Sequence, residues 1–157
     1  MKQKLEIATF AAGCFWHVEL AFVEVKGIIS TRVGYTGGRT SNPTYDTVCS
    51  DITGHAEAVE VTFDSERLDY GKLLGVFWGR HDPAQLNRQG PDEGTQYRSA
   101  IFYHTEEQKE SALKSKTAWE KKTGKKAATE IVKAGDFYEA EEYHQKYLMK
   151  KGLKTCY

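Results

Sequence analysis

Hydrophobic positions along the chain recur at spacings of two in some stretches and of three to four in others, and the changes of period mark the elements. Lys4 to Phe10 reads as a strand, and the small-residue turn Ala11-Ala12-Gly13 leads into a helix from about Cys14 to Val25. Phe15, Val18, Phe22 and Val25 fall on one stripe, which Trp16, Leu20 and Val23 widen, so this helix is expected to be packed on most sides. Gly27 to Tyr35 alternates Ile29, Thr31, Val33 and Tyr35 against Ser30 and Arg32, the pattern of a half-buried strand. Gly37 to Pro43 is a loop, and Tyr45 to Ser50 a short helical turn. Glu57 to Phe63 is a further strand, and Tyr70 to Arg80 a second core helix through Leu73, Leu74, Phe77 and Trp78.

A loop punctuated by glycine and proline runs from His81 to Thr95, before a strand from Gln96 to His104. The charged helix from Glu106 to about Lys122 carries a sparse stripe of Ala112, Leu113 and Trp119 and belongs on the surface. Ala127 to Val132 is a short strand, Phe137 to Lys150 is amphipathic, and Lys151 to Tyr157 has no period. The order β-α-β-β-α-β followed by α-β predicts an α+β fold, a ferredoxin-like two-layer sandwich with a mixed sheet and an irregular C-terminal tail. Residues 1–150 are expected to form one domain and 151–157 a mobile tail.

Composition narrows the partners. With 39% apolar residues, 7 Phe, 9 Tyr and 3 Trp in 157 residues, the chain can bury a core without staples. No apolar run approaches the roughly 20 residues that cross a membrane. The charged start, Met1-Lys2-Gln3-Lys4-Leu5, does not read as a signal peptide. Lys plus Arg equals Asp plus Glu at 22 each, so no global field favours nucleic acid or an anionic membrane. Cys14, Cys49 and Cys156 are an odd number with no C-x-x-C pair, which suits reduced thiols in the cytoplasm better than a disulfide framework. His17, His55, His81, His104 and His144 lack ligand spacing, so no metal is expected. The glycines of Gly34-Tyr35-Thr36-Gly37-Gly38 lack the lysine of a phosphate-binding loop.

Two residues carry candidate chemistry. Cys14 follows a strand and a glycine and opens a helix, where free amides and the macrodipole favour a thiolate. Phe15 and Trp16 beside it would wall an apolar pocket. Strand parity puts Glu57 on the face of Val59, Val61 and Phe63, with Glu60 on the other. A carboxyl on an apolar face tends to keep its proton, which is what a general acid requires. The loop from His81 to Arg98 is long and polar enough to contribute to a site.

The blocks Gly13-Cys14-Phe15-Trp16, Gly34-Tyr35-Thr36-Gly37-Gly38, Tyr45-Asp46-Thr47-Val48-Cys49-Ser50 and Thr53-Gly54-His55-Ala56-Glu57 resemble, in order, the A-class peptide methionine sulfoxide reductases. His81-Asp82-Pro83 and Asn87-Arg88-Gln89-Gly90 to Tyr97-Arg98-Ser99 continue the likeness through most of the chain. The resemblance implies reduction of the S epimer of methionine sulfoxide, free or in proteins, as repair under oxidative stress, with no cofactor. It implies Cys14 as nucleophile, Phe15 and Trp16 around the substrate methyl group, and Glu57 as acid. Tyr45 and Tyr97 would donate to the sulfoxide oxygen and Asp92 would orient the substrate. It further implies a sulfenic acid on Cys14, a Cys14–Cys156 disulfide, and thioredoxin as reductant of a monomeric enzyme. Cys49 would be a packing residue, protected from reagents. His17 and Asp51 stand where the family commonly has glycine. From the residues alone two rivals stay open: a thiol peroxidase using the same Cys14, and a ferredoxin-like binding module without catalysis.

Overall fold

The computed structural model describes residues 4–152. Its elements in chain order are β1 (Leu5–Ala12), α1 (Phe15–Val23), β2 (Ile28–Thr36), α2 (Tyr45–Cys49), β3 (Ala56–Asp64) and α3 (Tyr70–Gly79). Then come β4 (Arg88–Gln89), β5 (Asp92–Glu93), a 3-10 turn (Thr95–Tyr97), β6 (Ser99–Tyr103) and α4 (Glu106–Thr123). β7 (Glu130–Lys133), β8 (Phe137–Glu139), a second 3-10 turn (Glu142–His144) and α5 (Tyr147–Lys150) complete it.

Six strands form one sheet in the order β7-β6-β1-β3-β2-β8. The inner four, β6-β1-β3-β2, pair antiparallel as a ferredoxin-like unit, and β7 joins β6 in parallel after the α4 crossover. The fold is therefore the expected α+β sandwich with a mixed sheet. One face of the sheet packs on the helices around Phe10, whose ring lies 5.0 Å from Phe22 and 5.5 Å from Phe77. The opposite face is lined by small residues, Ala11, Ala56, Ala58 and Ala100, against Phe102 and Phe137. Burial on both faces explains why β3 is sealed at consecutive positions from Ala56 to Val59.

Several boundaries depart from the sequence pattern. The pairing of β2 slips between Ile28 and Ser30, so two residues oppose one. This bulge sends Ile28 inward and leaves Ile29, the expected inward residue, 47% exposed. The strand expected over Gln96–His104 begins only at Ser99, because Thr95–Tyr97 coils as a 3-10 turn. The strand expected over Ala127–Val132 runs instead over Glu130–Lys133. The loop after α3 contains the β4–β5 hairpin. The amphipathic stretch 137–150 is three short pieces, with β8 adding an edge strand to β2. Among the described residues no helix is long and apolar enough to cross a membrane.

Candidate active site

Cys14 is the N-cap residue of α1, at the junction where β1 leaves the middle of the sheet. Gly13 makes this turn at φ +95°, and a Cβ there would lie 2.8 Å from the side chain of Gln89. Only glycine lets the β4–β5 hairpin press this closely on the turn that leads to Cys14. The Gln89 amide is itself fixed, its oxygen accepting from Asp82 N–H at 2.8 Å and its nitrogen donating to Asp82 O at 2.9 Å. Cys14 is 9% exposed. A cavity of about 130 Å³ opens beside it, lined also by His17, Phe77, Arg80, Gln89 and Gly90.

Glu57 lies on β3, 1% exposed, with the parity read from the sequence. Its Oε1 accepts the backbone N–H of Phe15 at 3.2 Å, so the carboxyl reaches the first residue of the helix that Cys14 caps. Tyr45, Tyr97 and Cys49 share its field. Burial first, and then the negative charges around them, pushes the Tyr97 hydroxyl above its ordinary range. Tyr45 is likewise raised, by burial and then by its hydrogen bond to the Cys49 thiol. Both phenols are therefore held protonated, as donors. Asp92, on β5, lies near enough to Tyr97 to act on it electrostatically.

Cys49 differs from expectation. It is exposed rather than protected, because α2 is a five-residue helix whose only buried residue is Val48. Its thiol is nonetheless pushed up, chiefly by burial of the sulfur, while the bonds from Tyr45 and Gln96 pull the other way. Cys156 lies outside the described residues.

Phe15 is fully buried against Tyr35 and His144, with ring centroids at 5.7 and 5.1 Å. Trp16 stacks on Tyr147 at 3.8 Å and donates its indole N–H to His144 Nδ1 at 2.9 Å. Much of the site's support thus comes from 140–150, which sequence reasoning left as an unassigned amphipathic stretch. Glu141 accepts from the Tyr35 hydroxyl at 2.9 Å and from Tyr45 N–H at 3.0 Å. Burial opposes its charge, but these bonds win and hold its carboxyl below the usual range. Glu19, fully buried on α1, accepts from the Thr31 hydroxyl at 2.7 Å and from Lys146 N–H at 2.6 Å. A carboxylate inside a helix apolar all round was the signal that could have found Glu19. His144 and Glu141 had none, since their partners lie about a hundred residues away.

Asp51 sits at φ +63°, the conformation that glycine adopts freely, and its carboxylate accepts from both the N–H and the hydroxyl of Thr95. Asp51 thus ties the end of α2 to the turn that carries Tyr97. Among the described residues no cluster of three His, Cys, Asp or Glu could hold a metal ion.

The family model for peptide methionine sulfoxide reductase matches residues 6–157. A protein of Methanothermobacter thermautotrophicus named peptide methionine sulfoxide reductase MsrA is 57% identical over 157 residues, covering 98% of this chain and 92% of that one. Mxr1 of Saccharomyces cerevisiae in its reduced form superposes at TM-score 0.89 with 38% identity, over 95% of this chain and 87% of that one. Mxr1 in complex with Trx2 matches at TM-score 0.65 with 27% identity, over 94% and 89% of the two chains.

Proposed function

The chain belongs to the peptide methionine sulfoxide reductase family, and from that premise we propose that Cys14 and Glu57 carry out the reduction as nucleophile and acid. The observation that carries the assignment is the sealed Glu57 carboxyl bonded to Phe15 N–H, one residue beyond Cys14. Cys14 stands at the positive end of α1, which favours its thiolate. The thiolate attacks the sulfoxide sulfur while Glu57 gives its proton to the sulfoxide oxygen. The attack joins the Cys14 sulfur to the substrate sulfur. The protonated oxygen then passes to the Cys14 sulfur as the S–O and S–S bonds break, so that the substrate sulfur keeps the electron pair as methionine and Cys14 is left as a sulfenic acid. The raised, protonated hydroxyls of Tyr45 and Tyr97 suit donors to that oxygen, and Asp92 orients the substrate beside Tyr97. Phe15 and Trp16 receive the methyl group, with the S epimer as substrate.

A Cys156 thiol then condenses with the sulfenic acid, expelling water and closing a disulfide that thioredoxin reduces. A solved complex of the yeast relative with Trx2 supports that reductant. Thiols that must be reduced again after each turnover suit the cytoplasm, and oxidised proteins are the substrates such a repair enzyme serves. One chain supplies every described residue of the scheme, which fits a monomer of one catalytic domain and a tail. Glu57→Gln keeps the shape but removes the transferable proton. The single-turnover rate should fall by about 10²–10⁴, with substrate binding changed far less. A near-normal rate in that variant would leave Glu57 a structural group.

A further inference from the structure

The cavity of about 130 Å³ that opens beside Cys14 has no task in the scheme above, and Glu57, Trp16, Tyr45 and Tyr97 take no part in its walls. Its floor is apolar, with Val18 and Phe22 of α1 against Phe77 of α3. Its mouth is polar, formed by His17, Gln89 and Arg80. The Gln89 amide is locked by its two bonds to Asp82, so that side of the mouth keeps its shape. A second opening of about 320 Å³ shares His17, Ala21 and Arg80 with the first and runs on to Leu20 and Glu24. Positions 14, 17, 21 and 24 recur at helical spacing, so the two openings make one groove along the flank of α1, beginning at Cys14. Ten residues of helix rise about 15 Å, the length of about four extended residues. That is the size of a short stretch of polypeptide.

We propose that this groove is a subsite for the polypeptide flanking methionine sulfoxide in a protein substrate, and that Arg80 selects an acidic side chain there. The proposal rests on the reading of Cys14 as the residue that meets the substrate sulfur. With that sulfur on Cys14, the residue next to the sulfoxide passes over the mouth of the cavity. Its aliphatic stem meets the apolar floor, and its carboxylate reaches Arg80. Among the described residues no carboxylate lines the inner cavity, and Arg80, which caps the end of α3, is the cation at its mouth. Arg80 meets Glu24 at 3.7 Å across the outer part of the groove, with both side chains more than half exposed. Such a pair is weakly held in water, and a guanidinium carries five N–H donors. An arriving carboxylate therefore shares Arg80 with Glu24 or replaces it. His17, where the family commonly has glycine, belongs to the walls of both openings and narrows the passage between them.

The experiment compares short peptides carrying the S epimer of methionine sulfoxide, with Asp, Ser or Lys immediately before or immediately after it. Dithiothreitol serves as reductant, so that docking of thioredoxin plays no part. On one side of the sulfoxide the wild-type enzyme should prefer Asp to Lys by about fivefold in kcat/KM, chiefly through KM, the factor that an exposed ion pair carries. Added salt should shrink the preference. Arg80→Glu should invert the order, which a merely misfolded variant cannot do. Glu24→Gln removes the competing carboxylate and should raise the preference for Asp. Lys122→Glu makes the same change of net charge on α4, outside the walls of the groove, and should leave the ratio in place. A wild-type ratio near one, a ratio indifferent to Arg80→Glu, or one that Lys122→Glu moves as far would overturn the proposal. If Cys14→Ser still reduces N-acetyl-methionine sulfoxide methylamide, which has no flanking side chain, the fault lies in the reading of Cys14 instead.

Discussion

Glu19 and Glu57 are both sealed from solvent, and their partners suit different tasks. Glu19 is tied by the Thr31 hydroxyl and the Lys146 amide, the partners of a structural carboxylate. Glu57 faces Tyr45, Tyr97 and the start of α1, in the company of two thiols. Parity alone located Glu57, because a period of two admits one inward set of side chains. Cys49 is exposed because five helical residues cannot hide every face. Its raised thiol predicts slow alkylation at neutral pH that accelerates as pH climbs, whereas Cys14 should label already at mildly acidic pH. Mass mapping of iodoacetamide adducts against pH checks this, and equal rates at the two sites would contradict it. Asp51 combines a left-handed backbone with bonds to Thr95. Asp51→Ala keeps the strain and loses the bonds, so it should cost about 1–2 kcal/mol in urea unfolding. Asp51→Gly loses the bonds but relieves the strain and should lie nearer to neutral.

The longer elements are specified by signals written close to their ends. Asp69 caps α3 through Lys72 N–H at 2.9 Å, and Thr44 and Thr47 form a reciprocal capping box on α2. α4 has Thr105 as cap, Glu106 and Glu107 in its first turn, Lys121 and Lys122 in its last, and Gly124 left-handed beyond it. The junction of α3, β6 and β7 depends instead on His81. Its Nδ1–H donates to Phe77 O at 2.7 Å, and its Nε2 accepts from Ser99 Oγ at 2.8 Å, which bonds Thr129 in turn. Burial drives its pKa from 6.5 down to about 4. The unfolded chain therefore binds a proton that the fold refuses across this window. The stability present above about pH 6.5 should fall by up to about 3 kcal/mol as pH drops to about 4. His104 and His144 are shifted the same way by burial and add to the slope. Urea unfolding at several pH values should show it, and His81→Asn should start less stable but with a shallower slope. An unchanged slope would contradict the neutral His81.

At the scale of the molecule, a segment late in the chain folds back on early elements: Glu141, His144, Gln145 and Tyr147 meet residues of α1, α2 and β2. In the proposed exchange between Cys14 and Cys156, condensation within one chain outruns attack by an outside thiol. Cys156→Ser should release one equivalent of methionine at the normal rate and stop at the sulfenic acid. Thioredoxin-driven turnover should collapse and dithiothreitol should restore it. Steady turnover with thioredoxin would move the resolving role elsewhere. By itself the sequence determined α1 to α4, the inner strands, the thiol at the start of α1 and the inward Glu57. Each of these depends on periodicity, caps or parity, physical rules that operate within a few residues. Tertiary structure alone decided the bulge that turned Ile29 out, the division of 137–150 into three pieces, the exposure of Cys49, and the clamp of His144 and Tyr147 on Trp16. Those features arise where an edge strand must pair or a buried polar group must find a partner far along the chain, and no local pattern encodes that choice.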